Sequence, residues 1–433
     1  MCSYCVTVID IATGETVDDK IAECAGSASW GADDSTLFYT TEDETKRPYK
    51  VHRHTIGAAQ SSDTCVYTDE DGQYYVGMGK SKTNRFLYIE SGSSETSECH
   101  FIDLKASPPQ NTPTVIQPRT FGLRYEVTDH GDNFLIVTNK DKSTEGCLMH
   151  TPIASCGKDN WTAVVPYLAT RNILDVDCFE DYVVLEGREG GLTRVWLMDM
   201  ADAGAAGRLP DPATLRQVTF KDDLYEAGVS TNLIWNTKKL RLVYSSLATP
   251  YTWYNLDMSK PQADDETAGL EVLKVKDVLN FDGSLYETRR VFATAPDKRQ
   301  VPISLVYRKD LFAGKKQHAV PTMLYGYGSY GINIDPAFDA KLLPYLDRGM
   351  LYAIAHIRGG GEMGRGWYEE EGKYLMKRNT FTDFVACVRT HQLINCCFET
   401  RPALAGVRGR SCLCRCICHL RRDSMLTCEL ELV

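Results

Sequence analysis

The chain has 433 residues, enough for two or three domains, each with its own core. Its 43% apolar and 24% charged residues are ordinary for a globular protein, and no stretch approaches the roughly 18 uninterrupted apolar residues of a membrane-spanning helix. A formal net charge of −10 argues against a general nucleic-acid binder, so neither nucleic acid nor membrane is expected as a partner.

The opening, "MCSYCVTVIDIATGE", has no basic leader before a long apolar run, so no secretory signal is expected. Sixteen cysteines lack the spacing of a disulfide framework, which predicts reduced thiols and a cytoplasmic location. "CVTVIDIATG" resembles the second strand of a repeat unit whose first strand is missing. Five units follow, each an apolar run, a polar hairpin and a second alternating run, starting at Leu37, Phe86, Phe134, Tyr182 and Arg241. The starts lie about 49, 48, 48 and 59 residues apart, the period of four-stranded propeller blades. Unrelated hairpins of a β-sandwich are the alternative, but sandwiches rarely keep such even spacing. "GMGKS" at Gly77–Ser81 is a near miss to a phosphate-binding loop, with Tyr74 where a glycine is required, and reads as a turn.

After about residue 278 the texture changes. A hairpin is expected to turn at Pro296-Asp297, and "VPTMLYGYG" and "GMLYAIAHI" read as buried parallel strands. "NTFTDFVACVRTHQLI" reads as a helix with an apolar stripe at Phe381, Phe384, Val385 and Val388, capped by Thr380 with Asp383 three residues on. Strands alternating with a helix predict an α/β domain. "GYGSYG", Gly326 to Gly331, matches the glycine spacing of a dinucleotide fingerprint, but "INIDPAF" follows where a helix must start, so a glycine-rich catalytic or structural loop is the preferred reading and no cofactor is expected. His356, at the end of a buried strand, reads as a core histidine.

Seven of the sixteen cysteines fall between Cys396 and Cys428. "CLCRCICH" could suggest zinc, but alternate residues on one extended strand diverge from a tetrahedral centre, so no metal is expected. Ser411, in "GVRGRSCLC", follows a helix, Pro402 and a short strand, the order in which an α/β-hydrolase presents its nucleophile. The Gly-x-Ser-x-Gly turn is degenerate here, with Leu413 at its second glycine.

The strings "LYGYGSYG", "DRGMLYAIAHIRGGGEMGRGWYEEEGKYLMKRNTFTDF", "YTTEDETKRPYKVHRH", "GLTRVW" and "YSSLATPYTW" closely resemble the prolyl oligopeptidase family of serine peptidases, and within it the oligopeptidase B branch of trypanosomatid type, over residues 1 to about 395. The resemblance implies a β-propeller followed by a truncated α/β-hydrolase domain, with boundaries at 1–278, 279–395 and an aberrant tail at 396–433. It implies cleavage of short peptides after Arg or Lys. It assigns Tyr327 to the oxyanion hole and Ser411 to the nucleophile position. Asp335 matches the first of two acids that select a basic P2 residue, and Ala337 stands at the second. His419 and Asp423 are too close to Ser411 to complete a triad, so the chain is expected to be an inactive fragment of its lineage. The alternative is a catalytically dead propeller that binds peptides or proteins. A shifted reading frame is expected to produce the tail: genomic DNA read one base later after Gly406 should encode a family-like serine turn, and an intact frame without one overturns this.

Overall fold

The computed structural model describes residues 4–17, 20–33, 35–107, 112–201, 207–262, 265, 267–312, 321–393, 404–409, 412–420 and 426–432, with side chains up to 390. Five antiparallel sheets occupy the first part. The middle strands of each are the hairpins expected from the repeat: Thr36–Glu42 with Pro48–Thr55, Phe86–Gly92 with Ser97–Asp103, Asn133–Thr138 with Cys147–Pro152, Tyr182–Glu189 with Leu192–Asp199, and Lys239–Ser246 with Thr249–Asp257. Their polar connections permit tight reversal; Gly190 and Gly191, at φ +60° and +78°, form the two-residue loop of the fourth blade, a geometry that suits glycine. The opening segment, expected to belong to a blade of its own, supplies Tyr4–Val6 as a fifth strand of the first sheet, paired with Ile21–Trp30.

The propeller's core lies between blades. Phe86 and Phe101 of the second blade meet Phe134 of the third edge to face, with ring centroids 5.3 to 5.5 Å apart. Val184, Val195 and Leu197 of the fourth pack on Leu240, Leu242 and Leu256 of the fifth. A lone four-stranded sheet cannot cover both faces, so each blade depends on its neighbours.

The second part is one sheet. Tyr286–Thr294 and Gln300–Arg308 form the expected hairpin around Pro296-Asp297, and Thr322–Gly326 runs parallel to Leu351–Ala355. Leu404–Gly409 joins on the other side of Thr322–Gly326, also parallel. That strand falls inside the expected tail, beyond the boundary drawn at 395. Next come Cys412–Leu420 and Leu426–Leu432, both antiparallel, where a nucleophile turn would lead into a helix.

The helix Arg378–Leu393 packs on this sheet, but on a face turned by one residue from the expected stripe. Thr380, Asp383, Phe384, Ala386 and Cys387 are the buried positions, while Phe381, Val385 and Val388 are half-buried. The helix starts two residues before Thr380, directly after the 3-10 turn Tyr374–Lys377, so Thr380 and Asp383 do not form a capping box. Instead they serve Arg358, itself only 2% exposed. Asp383 accepts from Arg358 Nε at 2.8 Å, Nη2 at 2.6 Å and the backbone N–H at 3.0 Å, and Thr380 Oγ1 donates to the Arg358 carbonyl at 2.7 Å. A buried guanidinium requires a buried carboxylate, and this outweighs the apolar pattern that sequence periodicity tracks. Among the described residues no helix is long and apolar enough to cross a membrane.

Removing Asp383 would leave Nε and Nη2 of the buried Arg358 unpaired, with only Asp297 and Glu371 still on Nη1, and losing one partner of a buried pair costs up to about 3–5 kcal/mol. Asp383→Ala should therefore destabilise the second part by that amount in a denaturant melt, whereas Arg289→Ala, at an exposed pair, should change it by less than about 1 kcal/mol.

Candidate active site

The loop after Thr322–Gly326 owes its glycines to close backbone approach. A Cβ on Gly328, at φ +61°, would stand 2.6 Å from Thr380 Cγ2, and one on Gly359, at φ +99°, would stand 2.1 Å from the Gly328 carbonyl oxygen. Gly331 donates its N–H to the Gly359 carbonyl at 3.0 Å. The Gly328 carbonyl also accepts from Lys377 Nζ, and from Thr380 Oγ1 at 3.3 Å. No helix opens after Gly331, as the preferred loop reading expected; the chain runs irregularly to the 3-10 turn Ala340–Leu342. The pyrophosphate-binding arrangement is therefore absent from this loop.

Tyr327 sits half-buried one residue past the end of its strand, and its hydroxyl has no hydrogen-bond partner among the described residues. In the parallel register Gly326 lies opposite Val407, so Tyr327 and the end of the strand Leu404–Gly409 lie at the same carboxyl edge of the sheet. Ligand sites of open α/β sheets form at that edge. Ser411 lies outside the described residues. "CLCRCICH" lies in the strand Cys412–Leu420, and its side chains are likewise outside them.

One arrangement mimics a triad. Ser304 Oγ is 2.7 Å from His356 Nε2, and His356 Nδ1 is 3.9 Å from Glu362 Oε1. Ser304 and His356 are fully buried, so no substrate reaches them, and the core reading of His356 holds.

Asp335 faces the propeller. Its carboxylate takes both terminal nitrogens of Arg188, at 3.1 and 2.5 Å, while Arg188 Nε donates to the Glu362 carbonyl at 3.1 Å. Glu145 of the third blade accepts from the N–H groups of Arg365 and Gly366 at 2.8 and 2.9 Å. Arg124 pairs with Glu369 at 3.0 Å. Between these contacts lies a cavity of about 440 Å³, walled by Glu95, Asn172 and Arg188 on one side and by Tyr330, Arg365 and Tyr374 on the other. Neither Glu145, in "TEGC", nor Asn172, in "TRNIL", has a local sequence signal; each gains its place from partners more than 20 residues away.

A family description reading "Prolyl oligopeptidase, N-terminal beta-propeller domain" matches residues 3–265, and one reading "Prolyl oligopeptidase family" matches residues 336–411. The chain belongs to the prolyl oligopeptidase family. Its fold is the family's N-terminal propeller followed by part of the hydrolase domain. Protease 2 of Moraxella lacunata is 33% identical over 94% of this chain and 55% of its own length. Dipeptidyl aminopeptidase BI of Pseudoxanthomonas mexicana is 34% identical over 94% and 53%. Oligopeptidase B from Leishmania major superposes with a TM-score of 0.82 at 37% identity, over 94% of this chain and 55% of that one. Oligopeptidase B from Trypanosoma brucei, solved in a closed form with covalently bound antipain, gives 0.79 at 44% identity, over 91% and 53%. The chain thus spans about half the length of the relatives it matches. The resemblance drawn from its motifs is borne out.

Acids gather on strands of the second, third and fourth blades, close enough to feel one another's charge: Glu90, Glu126, Asp175, Asp177 and Glu186. Lost hydration pushes Glu126 up to about 7, with the charges of Asp175 and Glu90 adding, and Glu186 is likewise pushed up to about 7. Between the ordinary carboxyl value and 7 the folded chain holds protons that the unfolded chain has released. The associated stability is therefore fully present below the ordinary value and is lost as pH rises through 7. Glu126→Gln should raise the thermal midpoint at pH 8 and change it little at pH 4.5.

Proposed function

We propose that this chain carries the propeller and the nucleophile-bearing half of a serine-type oligopeptidase that hydrolyses short peptides after Arg or Lys. The observation that carries the reading is the position of Tyr327 at the carboxyl edge, its hydroxyl without a partner among the described residues, beside the strand Leu404–Gly409 and within a family match that extends to residue 411. In this reading Ser411 Oγ attacks the scissile carbonyl carbon as its proton passes to a general base outside the described residues, and Tyr327 donates to the oxygen on which charge develops. The bound antipain of the Trypanosoma brucei relative supports peptides as ligands. Reduced cysteines support a cytoplasmic setting, since Cys24, Cys99, Cys147 and Cys178 are buried and free. A basic P2 side chain would reach Asp335 only by displacing Arg188.

A second reading, peptide binding without turnover, is favoured by one observation. Cys412–Leu420 folds back as a strand where a nucleophile turn needs a helix to orient its serine.

A fluorophosphonate probe separates the two. Labelling of the wild-type chain that is lost in Ser411→Ala is the outcome expected of the peptidase; absence of labelling leaves the binding reading. Where peptide hydrolysis is measurable, Tyr327→Phe should lower kcat by about 10²–10³-fold, the usual loss on removing one oxyanion donor.

A further inference from the structure

We infer that Glu95, Tyr368 and Tyr374 form a cation-binding subsite on the cavity between the two parts of the chain. It takes a basic side chain of a bound peptide, arginine in preference to lysine, in exchange for the chain's own Lys373. The inference rests on the peptidase reading only for the nature of the ligand.

Lys373 shows that the site accepts a cation. Its ammonium lies over two rings, 5.4 Å from the centroid of Tyr368 and 5.2 Å from that of Tyr374, and 3.5 Å from Glu95 Oε1. Two ring faces and a carboxylate around one nitrogen are the elements of an aromatic cage. Glu95 comes from the second blade, in the turn between Phe86–Gly92 and Ser97–Asp103, whereas the other three residues belong to the second part of the chain. All four line the 440 Å³ cavity, a volume within the usual range for ligand sites, about 300–1,000 Å³. Asp335 is not among them, and its carboxylate is taken by Arg188.

The present occupant is exchangeable. Charge-assisted contacts of this type are normally about 2.7–2.9 Å long, so the Lys373–Glu95 pair is a loose one. The Glu95 side chain is 46% exposed, and water competes for both charges. The remaining cations of the wall are engaged elsewhere, Arg188 by Asp335, and Arg365 by Glu369 and the Ser94 carbonyl. Glu95 is therefore the acid released when Lys373 swings out on its flexible stem. Tyr374 points the same way. It holds a left-handed backbone, at φ +50°, and is 80% exposed, so neither backbone preference nor burial of its ring accounts for a tyrosine there. Strained positions of this kind cluster at ligand sites. A guanidinium stacks flat on an aromatic ring and offers paired donors to a carboxylate, which an ammonium cannot do, and this sets the preference for arginine.

The test measures peptide binding by fluorescence anisotropy, in the full chain carrying Ser411→Ala so that no peptide is cleaved. The peptides are alanine tetrapeptides with a neutral N-terminal fluorophore and a last residue of arginine; arginine, lysine or neutral citrulline is placed at each of the other positions in turn. At one position arginine should bind about three- to tenfold more tightly than citrulline, with lysine between them. Adding Glu95→Gln should abolish that gap, and Tyr374→Leu should bring arginine down to lysine. Lys373→Met, which removes the resident cation, should tighten the arginine peptide and leave the citrulline peptide unchanged, whereas a lysine that merely ties the two parts together would on removal weaken both. Three variants on different residues keep the test open if one fails to fold. Absence of binding, an arginine–citrulline gap at no position, a gap that survives Glu95→Gln, or no tightening in Lys373→Met overturns the inference. Fluorophosphonate labelling of the wild-type chain is read separately: the expected gap without labelling upholds the subsite and counts against the peptidase reading, and labelling without the gap does the reverse.

Discussion

The guanidinium of Arg358 is almost sealed from water, and each of its nitrogens has a partner. Nε and Nη2 go to Asp383, and Nη1 goes to Asp297 and Glu371. The pairing raises Arg358 well above the usual arginine range despite the opposing effect of burial. These partners come from a hairpin turn, from the segment after the glycine run and from the long helix, so one side chain ties three elements together. The helix must bring Thr380 and Asp383 inward to meet it. Thr380 then bridges the carbonyls of Arg358 and Gly328, and Gly328 adjoins Tyr327. The geometry at the candidate oxyanion donor is thus built on a buried ion pair rather than on apolar packing alone.

The contact between propeller and hydrolase sheet has an apolar part, where Leu192, Leu224 and Leu247 share a buried cluster with Tyr286, Val306, Leu346 and Ile354. It also has polar pairs: Arg188 with Asp335, Arg124 with Glu369, and Glu145 with two backbone N–H groups. Polar contacts of this kind fix orientation with modest net stabilisation, since water competes for the same groups once the surfaces part. Arg290 Nε and Nη2 are buried without a hydrogen-bond partner among the described residues, and lost hydration, with Arg194 and Arg188 nearby, pushes its guanidinium down to about 10.

Much of this was legible in the sequence. The five middle hairpins stood out because alternation and polar turns are local, and the parallel strands because both their faces are apolar. The absence of a helix after Gly331, which sets the glycine-rich loop apart from a nucleotide fingerprint, is also a local property. The innermost and outermost strands of the blades were less visible; pieces as short as Thr114–Val115 and Arg216–Gln217 carry no periodicity.

The sequence by itself determined the family and the repeat, and it supplies Tyr327, Asp335 and Ser411 as candidates, because these rest on residue order and turn chemistry. Tertiary structure alone decided which face of the helix is buried, that Asp335 is bound by Arg188, and that Glu145 receives the Asn172 amide together with two N–H groups of the second part. Those outcomes depend on where a partner charge or donor stands across tens to hundreds of residues, and no periodicity within a segment records that.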